Sequence, residues 1–307
     1  MFFTTQQGAT MDLSTQFDSR GYTYAHEHLH IDLSPFKQDM DCRLDCYALL
    51  VDEMRTLVSK GVLNLVEVTN RYMGRNPQFM LDLMQESGIN ILASTGYYQQ
   101  EFYPPHVAQR SAQQLAQEMI DEIEQGIDGT ELRASVIAEI GSSEGTITPT
   151  EEKVFHAAAL AHLATGKPIS THTSFSTMGL EQLRLLTGYG VAAEHIVIGH
   201  CDLRDQWETL LRILDTGALI QFDTIGKNNY YPDEKRVATL LALAQRGLSG
   251  QVMLSMDITR RSHLAANEGP GFSYLIDTFI PMLLQAGIHQ RDIDLMLRDN
   301  PNTFFKG

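Results

Sequence analysis

Eight short apolar runs recur along the chain, near residues 22–31, 62–69, 89–97, 134–141, 168–173, 195–200, 218–223 and 252–257. Rich in Val, Ile and Leu and only briefly interrupted by polar residues, they read as strands buried on both faces. Between them apolar residues return at helical spacing. Tyr47, Leu50, Met54, Leu57 and Val58 share one face, and Gly61 ends that helix. Asn76-Pro77 caps and opens a second helix, which Gly88 stops. Ser111 opens a third, and Thr148-Pro149 a fourth that runs to Gly166. Asp202 to Gly217, Pro232 to Gly247 and the stretch after Gly271 supply later helices, the last of which Pro281 should kink or break. Strand and helix alternate with a period of roughly 25 to 45 residues, the rhythm of parallel βα units. The pattern predicts an α/β chain folded as a (β/α)8 TIM barrel, one domain over 21–307, after a loose polar arm at 1–20.

Composition narrows the function classes. At 307 residues the chain has the length of one such barrel, and 43% apolar with 20% charged residues is ordinary for a globular protein. The net charge of −15 disfavours nucleic acid and anionic membrane as partners. No apolar stretch approaches the ~20 residues a bilayer requires. The N-terminus lacks the basic segment and long apolar core of a secretion signal. Three cysteines, Cys42, Cys46 and Cys201, argue against a disulfide framework and fit the cytoplasm. Cys42 and Cys46 have no second Cys/His pair at zinc-finger spacing, so free thiols are the better reading.

The chemistry lies at the strand ends. His26 and His28 are two apart in Thr23-Tyr24-Ala25-His26-Glu27-His28, so both can face one ion, while Glu27 points away to a salt bridge or helix contact. Glu139 follows Val136-Ile137-Ala138, His172 follows Ile169-Ser170-Thr171, His200 follows Ile198-Gly199, and Asp257 follows Leu254-Ser255-Met256. Taken singly, each could be a hydrogen-bonded core histidine or a salt-bridged carboxylate in the barrel interior. Core residues have no reason to recur at the same end of successive strands, whereas metal ligands at a barrel mouth do. His30 lies past the strand and suits a loop role.

Tyr24-Ala25-His26-Glu27-His28, Ala138-Glu139-Ile140-Gly141, Thr171-His172-Thr173, Ile198-Gly199-His200-Cys201-Asp202 and Ser255-Met256-Asp257 together resemble the phosphotriesterase family of the amidohydrolase superfamily. Within it the bacterial phosphotriesterase homology proteins are most similar, and Asn300-Pro301-Asn302-Thr303-Phe304 resembles the superfamily's closing motif. The resemblance implies a binuclear divalent centre. His26, His28 and Asp257 would hold the inner metal, His172 and His200 the outer one, and Glu139 would bridge them together with a hydroxide. Asp257 would be the catalytic residue that passes the proton to the leaving group. Zinc is favoured, with manganese or cobalt fitting the same ligands. Many members carry a carboxylated lysine where this chain has Glu139, so activity here should not depend on carbon dioxide. The lactonases' tyrosine is matched by Tyr98, whereas their arginine after the seventh strand is replaced by Thr224. Members are often dimers, which makes a homodimer the expectation.

Basic residues gather in the loops facing the mouth: Arg71 and Arg75, Lys227, Arg260 and Arg261. Lys227, Arg260 and Arg261 are therefore expected to bind a small anionic substrate, unless they pair with loop acids such as Glu101, Asp202 and Asp233, and the resemblance to the lactonases adds Tyr98 as a substrate contact. The implied activity is hydrolysis of a carboxylic ester or lactone, sugar-lactone phosphates included. Hydrolysis of an N-acyl amide or phosphoester on the same centre is the alternative, and metal binding without catalysis a third.

Overall fold

In the computed structural model, which describes residues 17–306, all eight expected strands form and hydrogen-bond in chain order in one parallel sheet. They are Tyr22–Glu27, Val62–Glu67, Asn90–Thr95, Ala134–Ser142, Ile169–Thr173, Ile196–Ile198, Leu219–Phe222 and Val252–Leu254. The sheet curls until the eighth strand meets the first, which makes a (β/α)8 barrel. A two-stranded ribbon, Ile31–Asp32 against Arg43–Leu44, is added in the loop after the first strand.

Two apolar layers hold the barrel. Alternate strand residues, among them Leu65, Ile91, Ile137, Ile169, Ile196 and Ile220, pack outward against the helices. The others, including Ala25, Val66, Leu92, Val136, Ala138, Val197, Leu219 and Met253, fill the interior. Phe304 and Phe305 close its floor, and Phe17 packs beside them. The closing motif has a physical role: Asn300 donates to the carbonyls of Ser249 (2.8 Å) and Val252 (2.7 Å) at the base of the eighth strand. Residues 1–16 of the expected arm lie outside the described residues. Its last four are docked rather than loose, since Asp18 bonds Asn64 and Asn302 bonds the Ser19 carbonyl.

The helix signals act as their chemistry dictates. Ser111 and Thr148 form capping boxes on Ala112–Glu124 and Pro149–Thr165, and Asn76 accepts the Phe79 amide at the start of Pro77–Ser87. One expectation needs correction, and the one at Pro281 is met as a distortion of the helix, not a break. The helix placed at Asp202 begins only at Trp207, because the Asp202 carboxylate is used to accept from Thr224 and Arg236. Pro281 does not break its helix. The turn before it, Leu275–Phe279, widens to π geometry and the helix continues as Ile280–Ala286; Leu295–Asp299 does the same ahead of Pro301. A widened turn relieves the clash of the proline ring with the preceding carbonyl. No helix among the described residues is long and apolar enough to cross a membrane.

Strands eight and one are joined through side chains, which corrects the reading of Glu27. Its buried carboxylate accepts from Ser255 Oγ (2.7 Å), Met256 N (2.7 Å) and Ile258 N (3.0 Å), while Ser255 Oγ also accepts the His26 amide at 3.0 Å. Glu27→Ala would orphan two buried amides at the seam that aims His26, His28 and Asp257. It should lower unfolding free energy by about 3 kcal/mol or more. Urea denaturation checks this, and a loss below about 1 kcal/mol would mean the seam does not depend on Glu27.

Candidate metal centre

Glu139 stands at the middle of the barrel mouth with the other candidate ligands around it. Its Oε2 lies 3.0 Å from His172 Nδ1, 3.4 Å from His26 Nε2 and 4.0 Å from His200 Nε2, and its Oε1 lies 3.7 Å from His28 Nε2. Asp257 Oδ1 is 3.1 Å from His28 Nε2 and 3.9 Å from His26 Nε2. Two ligand sets, His26/His28/Glu139 and Glu139/His172/His200, each bring their ligand atoms within 4.8 Å of one another; His26/His200/Asp223 forms a third.

Plain strand alternation would not build this arrangement. Val136 and Ala138 face the interior and Ile137 faces the helices, so a regular strand would send Glu139 outward. The pairing with strand five slips between Ile137↔Ile169 and Ile140↔Thr171, three residues against two, and that bulge turns Glu139 in. Strand one repeats the device. Tyr24 faces out and Ala25 in, and a slip between Tyr24 and Glu27 turns His26 and His28 toward the centre. His200, which alternation would send outward, is re-aimed by left-handed backbone at φ +53°, and Asp257, already of inward parity, shares that conformation at φ +52°. Such conformations cost roughly 1–3 kcal/mol each and persist where surrounding contacts enforce them. Gly199 is one such contact point: a β-carbon there would lie 2.2 Å from the Thr171 carbonyl oxygen.

A second layer holds the rings. His28 Nδ1 is 2.8 Å from Thr69 Oγ1, whose hydroxyl donates to Glu67. His200 Nδ1 is 2.7 Å from Asp223 Oδ1, and His26 Nδ1 lies 3.3 Å from Gln221 Oε1 and 3.4 Å from Asp223 Oδ2. These contacts leave Nε2 of all three rings toward Glu139. His172 is reversed: Nδ1 faces Glu139, and Nε2 is 3.2 Å from the Tyr98 hydroxyl. Thr69, Glu67, Gln221 and Asp223 were not singled out from the sequence. Gln221 and Asp223, two apart in an apolar strand, carried the parity that could have revealed them.

The electrostatics are those of a cation site. Burial pushes the Glu139 carboxyl up, but His172 and His26 outweigh it and hold it well below the usual carboxylate range. Burial drives His26 down, yet Asp223, Glu139 and Asp257 raise it to about 10. Burial and His200 lower His172, whereas Asp223 lifts His200 against burial. Asp257 is held far down, against burial, by Lys227 and His28. His26 Nε2 is buried and makes no hydrogen bond, although Glu139 lies beside it. An orphaned nitrogen facing carboxylates and further imidazoles suits divalent ions.

These groups open into a cavity of about 450 Å³ whose lining includes Tyr98, Lys227 and Arg260. Lys227 is buried against Asp257 Oδ2. Arg260 reaches the wall but also pairs with Asp39 (3.1 Å) and Asp41 (3.5 Å). Arg261 is a correction: it does not line the cavity, because its guanidinium is taken by Asp45 and the Arg43 carbonyl. Arg71 and Arg75 are committed to Glu122, with Asp128 beside both. Asp202 and Asp233 pair with Arg236, and Glu101 with Lys37. Cys42 and Cys201 are buried and free, and Cys46 is half-buried and free.

The model of the phosphotriesterase family matches residues 9–305. The phosphotriesterase homology protein of Escherichia coli (strain K12) is 67% identical over 290 residues, 94% of this chain and 99% of that protein. Its crystal structure, complexed with phosphate in the active site, superposes with a TM-score of 0.94 and covers 94% of this chain and 100% of that one. An aryldialkylphosphatase of Saccharolobus solfataricus is 32% identical over 93% of this chain and 95% of its own, and an N-acetyltaurine hydrolase of Dictyostelium discoideum is 30% identical over 82% and 71%. A lactonase from Listeria monocytogenes shares the fold at TM-score 0.89 and 26% identity, covering 94% of this chain and 95% of its own.

Because the metal-free centre keeps a proton on His26 up to about pH 10, a divalent ion must expel it. Loading zinc at pH 8 should therefore release at least one proton, and metal affinity should rise with pH between 7 and 9. In the metal-free protein the same proton contributes stability fully present below the unfolded-state value near 6.5 and lost as pH rises through about 10. Calorimetry in buffers of different ionisation enthalpy reads the proton count, and a count of zero would refute the assignment. Loading should be equally complete with and without bicarbonate, since Glu139 needs no carboxylation.

Proposed function

Because the chain belongs to the phosphotriesterase family, we propose that it is a binuclear metal hydrolase of a small anionic ester or lactone. His26, His28 and Asp257 would hold one divalent ion, His172 and His200 the other, and Glu139 would lie between them. Zinc suits this nitrogen-rich set best, with manganese or cobalt as alternatives. Bound there, the ions would bring the pKa of a water toward neutrality and polarise the carbonyl or phosphoryl oxygen under attack.

The observation that carries the reading is that Lys227 and Arg260 share one cavity with the ligand set. In a chain of net charge −15, cations turned into a cavity select for an anion. Phosphate in the active site of the Escherichia coli relative supports the same preference. Asp257, between His28 and Lys227, would accept the proton of the attacking water and return it to the leaving group. The Tyr98 hydroxyl, kept protonated by burial and by the nearby Glu139 charge, would donate to the substrate oxygen at the His172 side. Lys227 and Arg260 would bind the substrate's anionic end. The Listeria monocytogenes lactonase favours the lactone reading. The Dictyostelium discoideum N-acetyltaurine hydrolase favours a second, hydrolysis of an N-acyl amide on the same centre.

Metal content per chain should be measured together with hydrolysis of anionic esters, lactones, phosphotriesters and N-acyl amides, for the wild type and Glu139→Ala. The expected wild type holds close to two ions and hydrolyses at least one class, and the variant loses metal and turnover together. Wild-type protein that takes up no metal on reconstitution would overturn the reading. Asp257→Asn is expected to lower kcat by about 10²-fold or more, the size of a lost proton transfer. A kcat within a few-fold of wild type would remove Asp257 from the proton path.

A further inference from the structure

The loop after the fifth strand spends conformational energy to display an aromatic ring. Phe175 sits at φ +49°, ψ +42°, and Ser176 and Met178 follow at φ +57° and +65°. Left-handed backbone at a bulky residue is uncommon and unfavourable. A hydrogen-bond net enforces it. Ser176 Oγ donates to the His200 carbonyl at 2.5 Å and accepts the Leu203 amide at 3.0 Å. Thr177 Oγ1 donates to the Ser174 carbonyl at 2.7 Å and accepts the Gly145 amide at 2.9 Å.

Burial repays this cost only in part, since Phe175 is 51% exposed. Its ring lines the cavity and faces Tyr230, itself 48% exposed, with ring centroids 6.4 Å apart. Tyr230 ends the turn that begins at Lys227, its amide bonded to the Lys227 carbonyl at 3.0 Å. One turn therefore carries the buried ammonium below and an aromatic face at the rim. An exposed ring held in a strained conformation at a cavity mouth points to a ligand contact.

We infer that Phe175 and Tyr230 form an aromatic jaw that selects substrates by an apolar group, aryl or acyl, carried beside the anionic end. The inference rests on the hydrolase reading above and deepens it: the substrate is an amphiphilic anion whose apolar part lies at the rim.

Binding of phenylphosphonate and methylphosphonate, which share a head group and resist hydrolysis, tests this on the metal-loaded enzyme by calorimetry. The wild type should bind the phenyl compound at least about tenfold more tightly, as an aryl group leaving water requires. In Phe175→Gly that advantage should shrink to within about threefold, with methylphosphonate affinity unchanged. Phe175→Tyr should keep the advantage. The thermal midpoint of Phe175→Gly should hold, because the relief of left-handed strain offsets the contacts that a half-exposed ring gives up. A lowered midpoint, equal weakening of both phosphonates, an aryl preference that survives, or a changed oligomeric state would each overturn the inference. If methylphosphonate fails to bind the wild type, the anionic-substrate reading falls first and the jaw with it.

Discussion

A single buried carboxylate organises this protein. Glu139 has almost no contact with water, and an isolated charge in that position would be strongly unfavourable. Imidazoles arriving from three other strands compensate it, and those strands must close into a ring before they can do so. Folding the barrel and assembling the centre are thus one problem. Among these four histidines and two carboxylates the buried His26 Nε2 makes no hydrogen bond, an imbalance that suits a cation.

Strength at this centre comes from its support as much as from the ligands. Gln221 on the short seventh strand and Asp223 just past its end reach two histidines between them, and Thr69 with Glu67 holds a third. Glu27 ties the ring where the last strand meets the first, a junction that would otherwise leave amides of the eighth strand's end unbonded. Each device satisfies a polar group that burial would penalise, and each fixes the direction of a ligand. Rigidity of the site and solvation of the fold's polar groups are therefore the same set of hydrogen bonds.

Charge is sorted with equal economy. Most arginines near the mouth are consumed by neighbouring acids: Arg71 and Arg75 by Glu122, Arg261 by Asp45, Arg236 by Asp202 and Asp233. The cavity lining includes a buried lysine over Asp257, an arginine shared with loop acids, Lys37 paired with Glu101, and a rim of aromatic rings. In the proposed reading such a cavity offers a floor for cations, a wall for an anion and an edge for an apolar group.

The periodicity of the chain determined the barrel. Eight doubly buried apolar runs separated by helix-period segments have few other ways to bury themselves, and cap residues such as Asn76, Ser111 and Thr148 act locally, so their signals survive folding. The candidate ligand set was legible too, because His26, His28, Glu139, His172, His200 and Asp257 recur at strand ends, and the fold brings them together. Their orientation was not. By simple alternation His26, His28, Glu139 and His200 would have faced the helices, and they turn inward where the backbone is irregular, at two bulges and a left-handed residue. Those irregularities arise from pairing between strands remote in sequence, which no local pattern records. The fate of the basic loops was hidden for the same reason. Whether an arginine meets substrate or a neighbouring carboxylate is decided by which loops the closed ring brings together, and that put Lys227 in the cavity and Arg261 outside it.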